Sequence, residues 1–170
     1  MRVEGMDKPR CSWVTDACLA RYHDEEWGTH PATDEGWFEF VVLEVFQAGL
    51  SWRTVLHKRE AFRRAFEGFD PQRVAQFTEA DVERLMQDAS IIRNRRKLRA
   101  AVENARIAVR LAQAHGSLEN FFLGLKAHPD PLGVLQSTFV AVGRTTAESI
   151  AFATGIRMPP HDPGCFLAQA

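Results

Sequence analysis

Apolar residues recur at helical spacing through most of the chain, and no segment shows the strict alternation between turn pairs that marks a strand. The pattern predicts an all-α fold. Thr33 or Asp34 caps a helix that runs through Trp37, Phe40, Val41, Leu43, Glu44 and Val45 to about Ala48, where Gly49 stops it. Ser51 starts the next helix, carrying Trp52, Val55, Leu56 and Phe62. Asp70-Pro71 sets an acidic cap before a first-turn proline, and Thr78 opens a helix with Val82, Leu85 and Met86 at core spacing. A long helix follows from about Asn94 to Ala114, ending before Gly116, with Leu98, Ala101, Val102, Ala105, Val109 and Ala112 as its apolar stripe. From His115 to Ser137 the chain reads as short helices and turns, and from Met158 it is Pro-rich and irregular.

Size and charge narrow the class. The 170 residues fit one domain spanning 1–170, with a single core. No apolar run is long enough to span a bilayer, and Met1–Arg10 lacks the apolar centre of an export signal, so a cytoplasmic protein without membrane contact is expected. Three cysteines, Cys11, Cys18 and Cys165, suit metal binding or thiol chemistry better than a disulfide framework. A formal net charge of −1 means that any affinity for nucleic acid must be local. Two patches qualify: His57-Lys58-Arg59 with Arg63 and Arg64, and Arg93, Arg95, Arg96, Lys97 and Arg99. Either patch could equally be a solvated helix face. The arginines at the start of the long helix gain nothing from its dipole and are better explained by an external anion such as a phosphate.

Three groups of residues carry candidate chemistry. The apolar turn Thr138–Gly143 opens directly into a helix beginning Arg144-Thr145, an arrangement that points backbone N–H groups outward toward an anion or simply turns a corner in the core. Cys11 and His23 near one end, with His161 and Cys165 at the other, form a donor set suited to structural zinc, although each alone is an ordinary buried side chain. Glu44 sits in a helix apolar nearly all round, where an ionised carboxylate is costly without a donor. Either an arginine pairs with it, or it faces a pocket and awaits a cationic ligand, with Trp13, Tyr22 and Trp52 as candidate aromatic walls.

Cys11-Ser12-Trp13, Tyr22-His23-Asp24-Glu25-Glu26-Trp27-Gly28 and Leu43-Glu44 through Gln47-Ala48-Gly49-Leu50-Ser51-Trp52 together resemble the 3-methyladenine DNA glycosylase I family, within the helix-hairpin-helix glycosylases. Phe69-Asp70-Pro71, Asp81–Leu85 and Ile91–Arg95 extend the resemblance. It implies a compact multi-helix domain with a helix-hairpin-helix element and one structural zinc ion, held by Cys11, His23, His161 and Cys165, joining the two termini. It implies a monofunctional base-excision repair enzyme, acting as a monomer on double-stranded DNA that contains alkylated bases and hydrolysing the N-glycosidic bond of 3-methyladenine. Glu44 is then the catalytic residue and reads the flipped base between Trp13, Tyr22 and Trp52. Leu50, Val142, Gly143, Arg144, Thr145, Arg95 and Arg96 meet the DNA. Ala141 stands where the hairpin usually has a further glycine, Leu19 where the pocket helix often has a tyrosine, and Val45-Phe46 where relatives are often smaller or more polar. Two alternatives remain at this level: a broader glycosylase that uses Asp162 as its carboxylate, and a lesion-binding module without catalysis. No lysine lies near the hairpin, Lys126 being the nearest in the preceding region, which argues against a lyase.

Overall fold

Ten α-helices and no strand make up the described residues, 7–168, of the computed structural model. The first six residues, part of the Met1–Arg10 segment read above for an export signal, lie outside them. Helix α1 (Ala17–Glu25) is followed by α2 (Asp34–Gln47), α3 (Trp52–His57), α4 (Arg59–Ala65), α5 (Pro71–Val74) and α6 (Glu79–Leu85). Then come the long α7 (Arg95–His115), α8 (Leu118–Gly124), α9 (Pro131–Thr138) and α10 (Arg144–Thr154). No helix among the described residues is long and apolar enough to cross a membrane.

The start signals act as local chemistry requires. Thr33, Ser51, Asp70, Thr78 and Asn94 each accept a backbone N–H of the first turn, offsetting donors that a helix end leaves unpaired. Gly116 closes α7 in the left-handed region at φ 89°. Two differences stand out. Helix α1 had no counterpart in the periodicity; it is nucleated by Asp16, whose carboxylate accepts the Leu19 N–H at 2.8 Å. The single helix expected after Ser51 is two, broken at Lys58 (φ −100°, ψ 5°). The bend lets Phe62 enter the core while Arg59 reaches Glu26 and Glu39.

Helix α2 is the centre of the molecule. Every residue from Trp37 to Phe46 is buried, because α3, α7, α8 and α10 pack around it. Its all-round apolar surface needs neighbours on every side. Phenylalanines 38, 62, 66, 69 and 122 fill the space between α2 and the flanking helices. A smaller cluster of Leu19, Tyr22, Phe40, Leu56 and Ala153 lies on the opposite side of α2, with Trp13, Trp27 and Trp52 packed against it.

Candidate functional site

Beside that smaller cluster lies a cavity of about 490 Å³. Glu44 of α2 lines it, with Tyr22 and Leu19 of α1, Trp52 of α3, and Trp13 and Trp27 from the segments flanking α1. The aromatic rings contact one another: Trp13 meets Trp27 at 5.1 Å and Tyr22 at 6.2 Å between centroids, and Tyr22 meets Trp52 at 5.2 Å. Sequence reasoning found Trp13, Tyr22 and Trp52 but missed Trp27, although it stands in the quoted Tyr22–Gly28 run. Val45 and Phe46 do not line this cavity: Phe46 is packed in the interior and the buried Val45 borders a separate groove, so of the three unusual positions on these helices only Leu19 belongs to its wall.

The walls are set by a hub at Asp16. Besides capping α1, its carboxylate accepts from Arg53 Nε at 2.9 Å and pairs with His57 Nε2 at 2.8 Å, both on α3. Those donors hold it at a pKa of about 2, with the backbone N–H of Leu19 the strongest contributor. Thus α1, which carries Tyr22, is tied to α3, which carries Trp52.

Among the described residues, no arginine pairs with Glu44. Its Oε2 is buried without a hydrogen-bond partner among those residues, and burial alone drives the carboxyl up to about 8. Of the two options the sequence left open, the pocket is the one realised. A carboxyl raised to about 8 is mostly protonated at neutral pH, and a cation placed beside it would favour the ionised form. Trp52 Nε1 is a second buried polar atom of the wall without a partner.

The metal-ligand set also assembles. One donor atom from each of Cys11, His23, His161 and Cys165 lies within 4.8 Å of all the others, and the cluster could hold a metal ion. Cys165 Sγ is 3.4 Å from His23 Nε2 and 3.5 Å from His161 Nδ1, and Cys11 Sγ is 3.6 Å from His161 Nδ1. Burial raises the Cys11 thiol above its ordinary value, so a metal would have to displace its proton. The other nitrogen of His23 meets Asp24 at 2.8 Å, and Asp24 accepts from Arg10 at 2.7 Å, a chain that orients the imidazole. Backbone N–H groups of Asp162 and Leu167 point at the two sulfurs. Asp162, the alternative catalytic carboxylate, serves this loop instead: its Oδ2 accepts the Ser12 N–H at 2.6 Å, and it does not line the Glu44 cavity. That removes the geometric basis for its catalytic role.

A turn from Phe139 to Gly143 joins α9 to α10, with Phe139 and Val142 buried and Val140, Ala141 and Gly143 exposed. Asn104, fully buried on α7, brackets it: its Oδ1 accepts the Val140 N–H at 2.8 Å, and its Nδ2 donates to the Val140 carbonyl at 3.1 Å. Ala141 takes φ 58°, the left-handed conformation that favours the absent glycine. Gly143 starts α10 without a side-chain cap, and no acidic residue occupies the first turn.

Most of the proposed cationic patches are neutralised internally. Arg59 binds Glu26 and Glu39, Arg63 binds Glu39 and Glu60, Arg95 binds Glu83, and Arg99 binds Glu79. The reason is packing: acidic residues on α2, α4 and α6 lie against these arginines, which charge counting along the chain cannot register. Lys97 is turned inward to carbonyls at the end of α2, and packing also brings it to the groove beside Val142 and Gly143, so a lysine does lie near that turn in space although none does along the chain. Arg96 remains exposed and lines a groove with Ala48, Ala141, Val142 and Gly143. Leu50, 41% exposed, lies between this groove and the Glu44 cavity, sharing a smaller recess with Glu44, Thr145 and Thr146.

Known proteins share this architecture. Residues 13–158 match the family model described as methyladenine glycosylase. The chain is 40% identical over 149 residues to DNA-3-methyladenine glycosylase 1 of Escherichia coli (strain K12), covering 87% of this chain and 79% of that protein. A crystal structure of a 3-methyladenine DNA glycosylase I superposes with a TM-score of 0.84 at 37% identity, over 95% of this chain and all of the other. The Staphylococcus aureus 3-methyladenine DNA glycosylase I, whose structure concerns 3-methyladenine recognition, gives 0.81 at 30% identity, over 93% and 94% of the two chains.

Proposed function

The chain belongs to the methyladenine glycosylase family, and from that footing we propose that it is a base-excision repair enzyme hydrolysing the N-glycosidic bond of 3-methyladenine in alkylated double-stranded DNA. The observation that carries the chemistry is Glu44, a buried carboxyl without a cationic partner among the described residues, facing an aromatic cavity. A base methylated at N3 is cationic while still attached to the sugar, so it is a good leaving group and stacks well on electron-rich rings. Trp13, Tyr22, Trp27 and Trp52 supply the rings. Glu44, ionised by the incoming charge, accepts hydrogen bonds from the adenine edge and disfavours neutral purines, which would leave the carboxyl without compensation. The cavity, at about 490 Å³, falls within the usual range for a small-ligand site.

The base reaches the cavity by leaving the stack. Leu50 is the apolar wedge for the vacated space, and the unsatisfied N–H groups at the start of α10, with Gly143, Arg144 and Thr145, bind a backbone phosphate in the manner of a helix-hairpin-helix element. Arg96 lies beside that turn as a second phosphate contact, whereas Arg95 must first give up Glu83, and the Arg144 side chain Asp130. The bond from sugar C1′ to base N9 breaks with its electron pair going to the base; water supplies the hydroxyl to C1′ and releases a proton.

Zinc is the ion that the Cys11, His23, His161 and Cys165 donors suit. Ordinary Zn–S and Zn–N bonds in a tetrahedron require S···N edges of about 3.6 Å, and the three close pairs span 3.4 to 3.6 Å. Its role is structural, since four protein ligands leave no open position.

Release of radiolabelled base from methylated duplex DNA, resolved by identity, tests the assignment. The chain should release 3-methyladenine, and Glu44→Gln should cut the single-turnover rate by about a hundredfold or more, the scale of removing a charge from a dry site. Binding of damaged DNA with no base released by the unmodified protein would favour a lesion-sensing module instead.

A further inference from the structure

We propose that Lys97 is a positioning residue for base extrusion: its ammonium, donating to the carbonyls of Phe46 and Ala48, locks the turn that presents Leu50. The inference rests on the wedge role given to Leu50 above.

The turn has a defined geometry. Ala48 lies at φ −51°, ψ 118°, Gly49 at φ 81°, and the Leu50 N–H donates to the Gln47 carbonyl at 2.7 Å. These are the marks of a type II turn over residues 47–50. A type II turn differs from type I chiefly in the orientation of its middle peptide, here the one joining Ala48 to Gly49. Glycine at its third position tolerates φ of either sign, so Gly49 permits type II without enforcing it. Rotation of that peptide would swing the Ala48 carbonyl to the other side of the turn, and holding the carbonyl in place stiffens the short segment from which Leu50 projects.

Lys97 Nζ prevents that rotation by donating to the Ala48 carbonyl at 2.7 Å while anchored on the Phe46 carbonyl at 2.8 Å. Its acceptors are neutral carbonyls, and no acidic side chain pairs with it among the described residues. Burial correspondingly lowers its pKa, with no charge to raise it. Helix α2 has no basic residue in its own last turn, so this lysine from α7 supplies the cation that a helix C-terminus favours. The base of Lys97 is fixed as well: its backbone N–H donates to Asn94 Oδ1 at 3.1 Å. Its side chain also lines the groove shared with Val142 and Gly143. One residue therefore connects the end of the Glu44 helix, the wedge turn and the edge of the phosphate-binding turn.

The role is separable from the base pocket, which Lys97 does not line. Lys97→Met keeps the stem and removes the donors; Lys97→Arg keeps donors and charge. Single-turnover release of 3-methyladenine is measured from duplexes in which the lesion is either paired with thymine or held unpaired in a bulge, alongside affinity for free 3-methyladenine. Lys97→Met should slow the paired substrate about tenfold, the scale of one charge-assisted hydrogen bond, with the bulged lesion and free-base affinity within about twofold of the unmodified protein. Lys97→Arg should recover most of the loss. An unchanged rate on the paired lesion, an equal loss on both substrates, or a parallel loss of free-base affinity would overturn the proposal. If Lys97→Met does not fold, the same ratio of paired to bulged rates is read on Lys97→Gln. Should the unmodified protein release no base at all, the functional assignment falls; release with an indifferent Lys97 removes only this inference.

Discussion

At the scale of the residue, Glu44 couples folding to pH in a direction opposite to most carboxylates. Its folded pKa is raised to about 8 from an ordinary 4.5. Between those values the unfolded chain has lost the proton that the folded protein keeps, so stability falls as pH rises through that window and levels off above it. A shift of this size is worth about 2 to 5 kcal/mol. Glu44→Gln, which cannot ionise, should therefore be more stable than the unmodified protein, by a margin that grows from pH 6 to pH 8.5. Urea denaturation at a series of pH values reads this margin, and a gap independent of pH would show that the folded protein already holds Glu44 as an ionised carboxylate. The same substitution that stabilises the fold should abolish excision, which is the usual trade at a site built to receive charge.

At the scale of the element, the α9–α10 turn depends on a residue distant in sequence. Asn104 satisfies both backbone groups of Val140 from within the core, so the turn keeps its shape even though Ala141 occupies the left-handed region. Asn104→Leu, close in volume, would leave the Val140 groups unpaired and should cost about 1 to 3 kcal/mol. That corresponds to roughly 2 to 12 °C in Tm for a chain of this size. Affinity for undamaged duplex, followed by fluorescence anisotropy, should fall several-fold while free-base binding is retained. Equal DNA affinity in the two proteins would show that this turn is not the phosphate contact. At Gly49 the limit is backbone alone: an added Cβ would meet nothing within 4 Å, yet φ 81° is unfavourable for any side chain.

At the scale of the whole molecule, the cluster of Cys11, His23, His161 and Cys165 joins chain segments about 150 residues apart and also supports the Glu44 cavity. Cys11 precedes Trp13 by two positions, and the Trp13 and Trp27 rings pack on His23, at 5.4 and 5.9 Å between centroids. Removing the zinc ion proposed for this cluster should therefore loosen both the C-terminal segment and one wall of the cavity. Metal analysis should find one zinc per chain. Cys165→Ala or exhaustive chelation should lower Tm by on the order of 10 °C and raise KM more than it lowers kcat. A protein that melts at the same temperature with and without chelator would rule out a stabilising ion.

The sequence determined most of the helices, because apolar spacing and capping residues such as Thr33, Asp70, Thr78 and Asn94 act over one or two turns. It also exposed the anomaly at Glu44, since a carboxylate among eight apolar neighbours is legible without coordinates, and it supplied the four metal-ligand residues as a candidate set. What it could not determine were relations between segments. Whether Glu44 faced a cavity or an arginine, whether the arginines of α4 and α7 were free or paired, and whether Lys97 turned toward solvent or toward the end of α2 all depended on which helices became neighbours. Only packing decides that, because a charge is satisfied by whatever lies within a few ångströms in space, and apart from the Arg63–Glu60 pair within α4 the partners named here stand 12 to 51 positions away along the chain.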